Sequence, residues 1–248
     1  MDKLGKSAVC LMDEIMKDSL SIDSITCSAA TQRGDLWAAF ELIYDKYLAA
    51  GLTRPSRTGV RIAGYQLDRG CEIIIAKRND RVVGTVSLVS GTTDGLPLEQ
   101  AFPTHLENMR NNRLRLVEVG CLAAVDDHRG AFSPTFAALT KAAITRSRQL
   151  GFDRMVAVVH PRHARFYQRN MGFERLSEPV SYESVEGHLA VCVAGDPGKP
   201  VAYKSPWREL FFSERESHRD GVLRAMSAID RHYFTLLWAR SQPRQRAA

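Results

Sequence analysis

The sequence predicts a mixed α/β (α+β) fold, with a parallel strand pair at its centre, a hairpin before it and a helical C-terminal extension. Three observations carry this reading. Leu114–Val125 is an apolar run rich in Val and Leu, ended by Asp126-Asp127, the pattern of a strand buried on both faces. Ser133-Pro134 then resembles an N-cap with proline in the first helical turn, and Phe136, Leu139, Ala143, Ser147 and Leu150 follow at helical spacing up to Gly151. Arg154–Val159 is a second apolar strand, followed by a helix over Arg162–Asn170. Strand, loop, helix, strand places the two strands side by side and parallel, joined by a right-handed crossover.

The rest of the chain fits around this unit. Leu4, Leu11, Met12, Ile15 and Leu20 predict a short amphipathic helix near the start, packing on the core or on a second subunit. Ser24–Ala29 reads as a strand and Thr31–Ala50 as a helix closed by Gly51. That helix carries Trp37, Phe40, Tyr44 and Tyr47 along one stripe. The stripe is either core or one wall of a pocket for a long apolar group. Residues 52–65 form a long loop. Cys71–Ala76 and Val82–Val89 flank the polar turn Arg78-Asn79-Asp80-Arg81, as strands of a hairpin do. Residues 99–113 predict a short helix, Phe173–Leu176 and His188–Ala194 closing strands, and 207–240 a charged helical tail. The expected organisation is an N-terminal helix over 1–25, a core over 26–196 and a helical extension over 197–248.

Composition narrows the classes. Hydrophobic residues make up 44% of 248, enough to fill a core. The net charge of +6 favours an acidic partner, and without zinc-finger or basic-zipper spacing that partner is expected to be a protein rather than nucleic acid. The five cysteines are scattered, are expected to be reduced, and form no metal-ligand pattern with the histidines. Neither a signal peptide nor a membrane span is expected, which points to the cytoplasm.

Glu118 is the residue out of pattern, a carboxylate where the strand calls for a hydrocarbon. Burial favours its neutral form and raises its pKa, which suits a general base acting on an amine. The competing reading pairs it with Arg113 or Arg115 in a structural ion pair. Gly120 marks a bulge or a close backbone approach by a ligand. Arg129-Gly130 ahead of Ser133 suits an anion at a helix N-terminus, or is an ordinary loop. His160 stands at the strand end where open sheets bind ligands, to orient a substrate or to cap structure. Tyr167 either protonates a leaving thiolate or fills the core.

Two segments carry a resemblance: Leu116-Val117-Glu118-Val119-Gly120-Cys121-Leu122-Ala123, and Val159 to Phe173, with His160-Pro161-Arg162-His163-Ala164-Arg165-Phe166-Tyr167 and Met171-Gly172-Phe173. Together with the order of elements, they resemble the GNAT acyltransferases, whose two central parallel strands splay apart around the pantetheine arm of an acyl donor. More narrowly they resemble the N-acyl amino acid synthases, relatives of the acyl-homoserine lactone synthases. The resemblance implies transfer of a long acyl chain from an acyl-carrier protein to the amine of an amino acid, with no permanently bound cofactor or metal. It implies Glu118 as base and Tyr167 as acid. Gly120, Cys121, Leu122, His160 and the aromatic stripe become substrate-binding candidates, and Arg129, Gly130 and Ser133 would meet the phosphopantetheine. Arg129-Gly130-Ala131-Phe132 lacks the second glycine of the acetyl-CoA loop, which counts against an acetyl-CoA-dependent acetyltransferase. A non-catalytic acyl-binding or carrier-binding protein is the third reading, opposed by Glu118.

Overall fold

The computed structural model describes residues 24–91, 95–125, 133–212 and 223–241. The expected N-terminal helix and the Arg129-Gly130 loop fall outside them. The described chain forms one mixed sheet of eight strands, in the order β1, β2, β3, β4, β5, β8, β6, with β7 also paired to β8. β1 is Thr26–Ala29, β2 Cys71–Arg78, β3 Arg81–Ser90, β4 Leu116–Ala124 and β5 Arg154–Val159. β6 is Glu174–Arg175, β7 Val180–Tyr182 and β8 His188–Gly195. The helices are α1 (Arg33–Ala49), α2 (Glu107–Asn111), α3 (Pro134–Gln149), α4 (Pro161–Met171), α5 (Trp207–Phe212) and α6 (Ala228–Ser241).

Local chemistry explains most boundaries. Asn79 and Asp80 both take positive φ, which two-residue hairpin turns require, and so close β2 on β3. Ser133 caps α3 by accepting a hydrogen bond from the Phe136 N–H. Gly151, at φ +73°, ends the helix. Its N–H donates to the Arg148 carbonyl and that of Phe152 to Ser147, the paired bonds of a Schellman turn. Among the described strands only β4 and β5 run parallel, and their register extends just from Leu116 opposite Arg154 to Glu118 opposite Val156. Both strands continue further, so the sheet opens between them immediately after Glu118.

Alternation along β2 sends Ile74 and Ala76 to one face, and Ile73 and Ile75 to the other. The first face is covered by α3, α4 and α5. The second is covered by α1 and α6, through Leu36, Phe40, Ile43 and Phe234. A third apolar group, Leu96, Leu98, Phe102 and Leu106, covers Leu116, Val156, Cys192 and Ala194. Cys27, Cys71, Cys121 and Cys192 are free thiols.

Three expectations need correction. The helix over 99–113 reduces to α2 and a 3₁₀ turn at Pro97–Gln100, separated by Pro103, which cannot donate a helical hydrogen bond. The tail is not one helix: residues 223–227 are non-helical, and α6 starts anew where the Ser227 hydroxyl accepts from the Asp230 N–H. β7 was not foreseen, because three residues carry no period. The C-terminal residues also belong to the core itself, with Trp207 and Phe211 buried on one face of the sheet and Phe234 on the other.

Candidate active site

Glu118 lies at the point where β4 and β5 part, and only 4% of it is exposed. One carboxylate oxygen accepts from the Leu98 N–H at 2.8 Å. Among the described residues it has no cationic partner. The pairing with Arg113 or Arg115 is therefore overturned: Arg115 lies over the Phe152 ring, and Arg113 sits in the turn leading into β4. Burial pushes the Glu118 carboxyl up to about 7, against the lowering effect of the Leu98 bond and with a further push from Glu99. The Leu98 donor is itself held in place. Glu99 accepts from the Leu96 N–H at 2.6 Å and forms a forked ion pair with Arg110 at 2.8 and 2.6 Å.

A β-bulge decides what shares the face of Glu118. Thr85 opposes Ala123 and Ser87 opposes Gly120, so β4 spends one residue more than β3 across this step. Cys121 adopts φ +49° there. Without the bulge, Cys121 would point away from Glu118. With it, Val117, Val119 and Leu122 face the α3 side, while Cys121 and Ala123 join the α1 side of the sheet. The bulge expected from Gly120 is present, with the strained residue one position later.

The thiol of Cys121 meets the Tyr65 hydroxyl at 3.1 Å and Nη1 of Arg61 at 3.9 Å. Burial raises the thiol, while Arg61 and Tyr65 pull it down. Arg61 lies 4.5 Å above the Tyr47 ring and donates to the Ser184 carbonyl at 2.7 Å. Tyr65 is held well above the ordinary phenol range by burial first, then by Cys121 and Glu118. Burial likewise raises Tyr182, with Glu118 among the added influences. One cluster thus unites Glu118, Cys121, Arg61 and three tyrosines. At neutral pH its phenols and thiol are protonated, and Glu118 is the group that titrates.

Of the sequence candidates, Glu118, Gly120, Cys121 and Tyr47 come together here. A Cβ added at Gly120 would meet the Tyr65 hydroxyl at 3.4 Å, so the glycine keeps this wall close. Tyr44 instead bonds Ser56 through its hydroxyl, which accepts from the Ser56 N–H at 3.0 Å. Phe40 is fully buried and meets Phe234 edge-on at 5.0 Å, while Trp37 tilts against Tyr233 and Phe234. These two aromatics serve the seat of α6. Leu122 faces the α3 side. His160 caps α4, Nδ1 accepting from the Arg162 N–H at 3.2 Å. Tyr167 is half-buried between Phe166 and Phe173, and burial pushes its phenol up to about 12. Ser133 is engaged as the α3 cap. Arg61, Tyr65, Tyr182 and Leu98 escaped the sequence reading. Three lie in loops or 3₁₀ turns and Tyr182 in a three-residue strand, where no period marks a residue. Among the described residues, no group of His, Cys, Asp and Glu is placed to hold a metal ion, and no helix is long and apolar enough to cross a membrane.

An open mixed sheet flanked by helices, with its parallel strands parting at a buried carboxylate, has the architecture of the GNAT-like acyltransferases. The comparisons narrow this further. The family described as N-acyl amino acid synthase FeeM matches residues 38–196, more than half of the chain, and the protein belongs to that family. The structure of FeeM, an N-acyl amino acid synthase from uncultured soil microbes, superposes with a TM-score of 0.62 at 20% identity, over 76% of this chain and 94% of that one. The AHL synthase LasI superposes at 0.56 with 14% identity, covering 78% and 96%. BjaI, a CoA-dependent acyl-homoserine lactone synthase, superposes at 0.54 with 17% identity, covering 86% and 99%. At these identities the structural likeness speaks for the fold. No curated protein matches the sequence.

Proposed function

We propose that the protein moves a long acyl chain from the phosphopantetheine thioester of an acyl-carrier protein to the amine of an amino acid. The observation that carries the reading is Glu118, a buried carboxyl balanced near 7 and paired with no cation among the described residues, at the mouth of a strand pair that has stopped pairing. Beyond Glu118 and Val156 the facing edges of β4 and β5 leave backbone groups for a peptide-like pantetheine arm. The amine attacks the thioester carbonyl, a C–N bond forms and the C–S bond breaks. Glu118 takes the proton from the amine, directly or through water. Backbone N–H groups following Gly120 would stabilise the developing oxyanion. The Tyr167 phenol, protonated at neutral pH, would supply a proton to the leaving thiolate.

The carrier-protein donor is supported by exposed cations along α4, where Arg162, Arg165 and Arg169 face solvent. Arg162 and Arg165 line a hollow with Gln168 and Arg175. The net charge of +6 overstates the free basic surface. Arg146 is buried in an ion pair with Glu72, Arg148 lies over the Phe212 ring and Arg110 binds Glu99. The test is turnover with one long acyl chain presented on an acyl-carrier protein and as its coenzyme A thioester, against a mixture of amino acids, with the product weighed by mass spectrometry. The proposal expects an N-acyl amino acid and a higher kcat/KM with the carrier. Equal efficiency with both donors at low salt would restore coenzyme A as the donor.

A further inference from the structure

We propose that Arg61 binds the α-carboxylate of the acceptor amino acid and so turns its amine toward Glu118. The inference rests on the acceptor being an amino acid, and names the side chain that recognises it as one.

Arg61 is set into the site by its own segment. Val60 and Ile62 on either side are buried, at 3% and 8% exposure, and the Arg61 N–H donates to the Phe40 carbonyl at 3.1 Å. The side chain extends from this anchored backbone to Tyr47, Ser184 and Cys121. Its guanidinium rests on the Tyr47 ring and spends one strong hydrogen bond on the Ser184 carbonyl, with a longer one to the Cys121 sulfur. A guanidinium has five N–H donors arranged to grip a carboxylate with two of them. Among the described residues Arg61 has no carboxylate partner. Arg33, Arg54, Arg110, Arg146 and Arg175 each have one.

The neighbouring acid has the converse deficit. Glu118 shares the face of Cys121 because of the bulge and, among the described residues, has no cation beside it. Arg61 touches the Cys121 thiol, Tyr65 bonds the same sulfur, and Glu118 is near enough to raise both the thiol and the Tyr65 phenol. An α-amino acid carries the complementary charges, an amine and a carboxylate on adjacent carbons. Set with its carboxylate on Arg61, it would bring its nitrogen to the Glu118 side of Cys121. The arginine is pre-positioned for this. The segment from Gly51 to Arg61 is tied to the turn between β7 and β8 by an Arg54–Glu186 ion pair at 2.6 Å and by Arg61 on Ser184, and to the start of β8 by His188 on the Gly51 carbonyl at 3.1 Å. Holding a recognition group in its bound geometry lowers the entropy lost when the ligand arrives.

The experiment compares an amino acid with the amine left by its decarboxylation. The best acceptor is first found from a mixture of the common amino acids, and kcat and KM are then measured for that acid and its amine. The wild-type protein should prefer the acid by about 10²-fold or more in kcat/KM, as a site built to bond a polar group rejects a substrate lacking it. Arg61→Gln should raise KM for the acid and bring the ratio close to unity. Arg61→Lys, with charge but no fork, should fall between. Thermal melts establish that the variants fold; if the Gln variant does not, the Lys variant carries the test. An acid-to-amine ratio unmoved in the folded variants would overturn the role of Arg61 while leaving the acylation reading intact. A wild-type protein that acylates amines but no amino acid would overturn both.

Discussion

Replacing Glu118 by glutamine separates a buried base from a structural acid, because the two make opposite claims about stability. The ordinary carboxyl titrates at 4.5 and the folded one at about 7. Between these values the native state keeps a proton that the unfolded chain has lost. Stability is therefore fully present below about 4.5 and is lost as pH rises through about 7. At 1.36 kcal/mol per pH unit, the loss reaches about 3 kcal/mol above neutrality. Glutamine has nearly the same shape, can still accept from the Leu98 N–H, and carries no proton to lose. Glu118→Gln should match wild type near pH 4 and exceed it by about 3 kcal/mol at pH 8, a rise of about 6–12 °C in Tm for a domain of this size. Thermal and urea melts of both proteins across this range provide the measurement. Turnover should fall in the same variant by about 10²–10⁴-fold, and the rise of wild-type kcat/KM with pH through about 7 should vanish. A stability difference flat in pH, or a variant with wild-type turnover, would refute the reasoning.

Other perturbations test the frame around the site. Arg146→Ala should cost about 3–5 kcal/mol in denaturant melts, since it leaves Glu72 buried at 2% exposure without its cation. The Glu72 carboxylate also accepts from the Arg224 N–H, so proteolysis of the C-terminal region should accelerate in that variant. Phe40→Ala should cost about 3–5 kcal/mol while leaving the chain-length profile of the products unchanged, as expected of a core ring packed on Phe234. A shifted profile with intact stability would return Phe40 to the acyl pocket. Joint replacement of Arg162, Arg165 and Arg169 by serine should lower kcat/KM with an acyl-carrier protein. It should also flatten the dependence on salt, because exposed charges about 8–10 Å apart are largely screened near physiological ionic strength. Unaltered salt dependence would remove α4 from the docking surface.

Much of the frame was legible because it depends on local or periodic signals. Ser133-Pro134 and Gly151 mark the ends of α3 through hydrogen bonds that span a few residues. The hairpin turn needs only Asn79 and Asp80. Leu114–Val125 reads as a buried strand because most of its positions are apolar, and Glu118 stood out against that background. The buried pair of Arg146 with Glu72 leaves no local mark, since the two lie 74 residues apart. Arg33 and Asp230, which seat α6 on α1, are likewise 197 residues apart and linked by no local pattern.

The sequence by itself determined the strand–helix–strand unit, the parallel pair and the one carboxylate within it, because periodicity and capping act along the chain. Only the tertiary structure decided what that carboxylate meets. The extra residue at Cys121 inverts the strand's alternation and turns the thiol to the Glu118 face, a consequence of the register against β3. Arg61, Tyr65 and Tyr182 reach the same place from segments with no period of their own. The raised pKa follows from burial and from the nearby Glu99, and both depend on how the Leu96–Leu106 segment packs on the strand rather than on the residues beside Glu118.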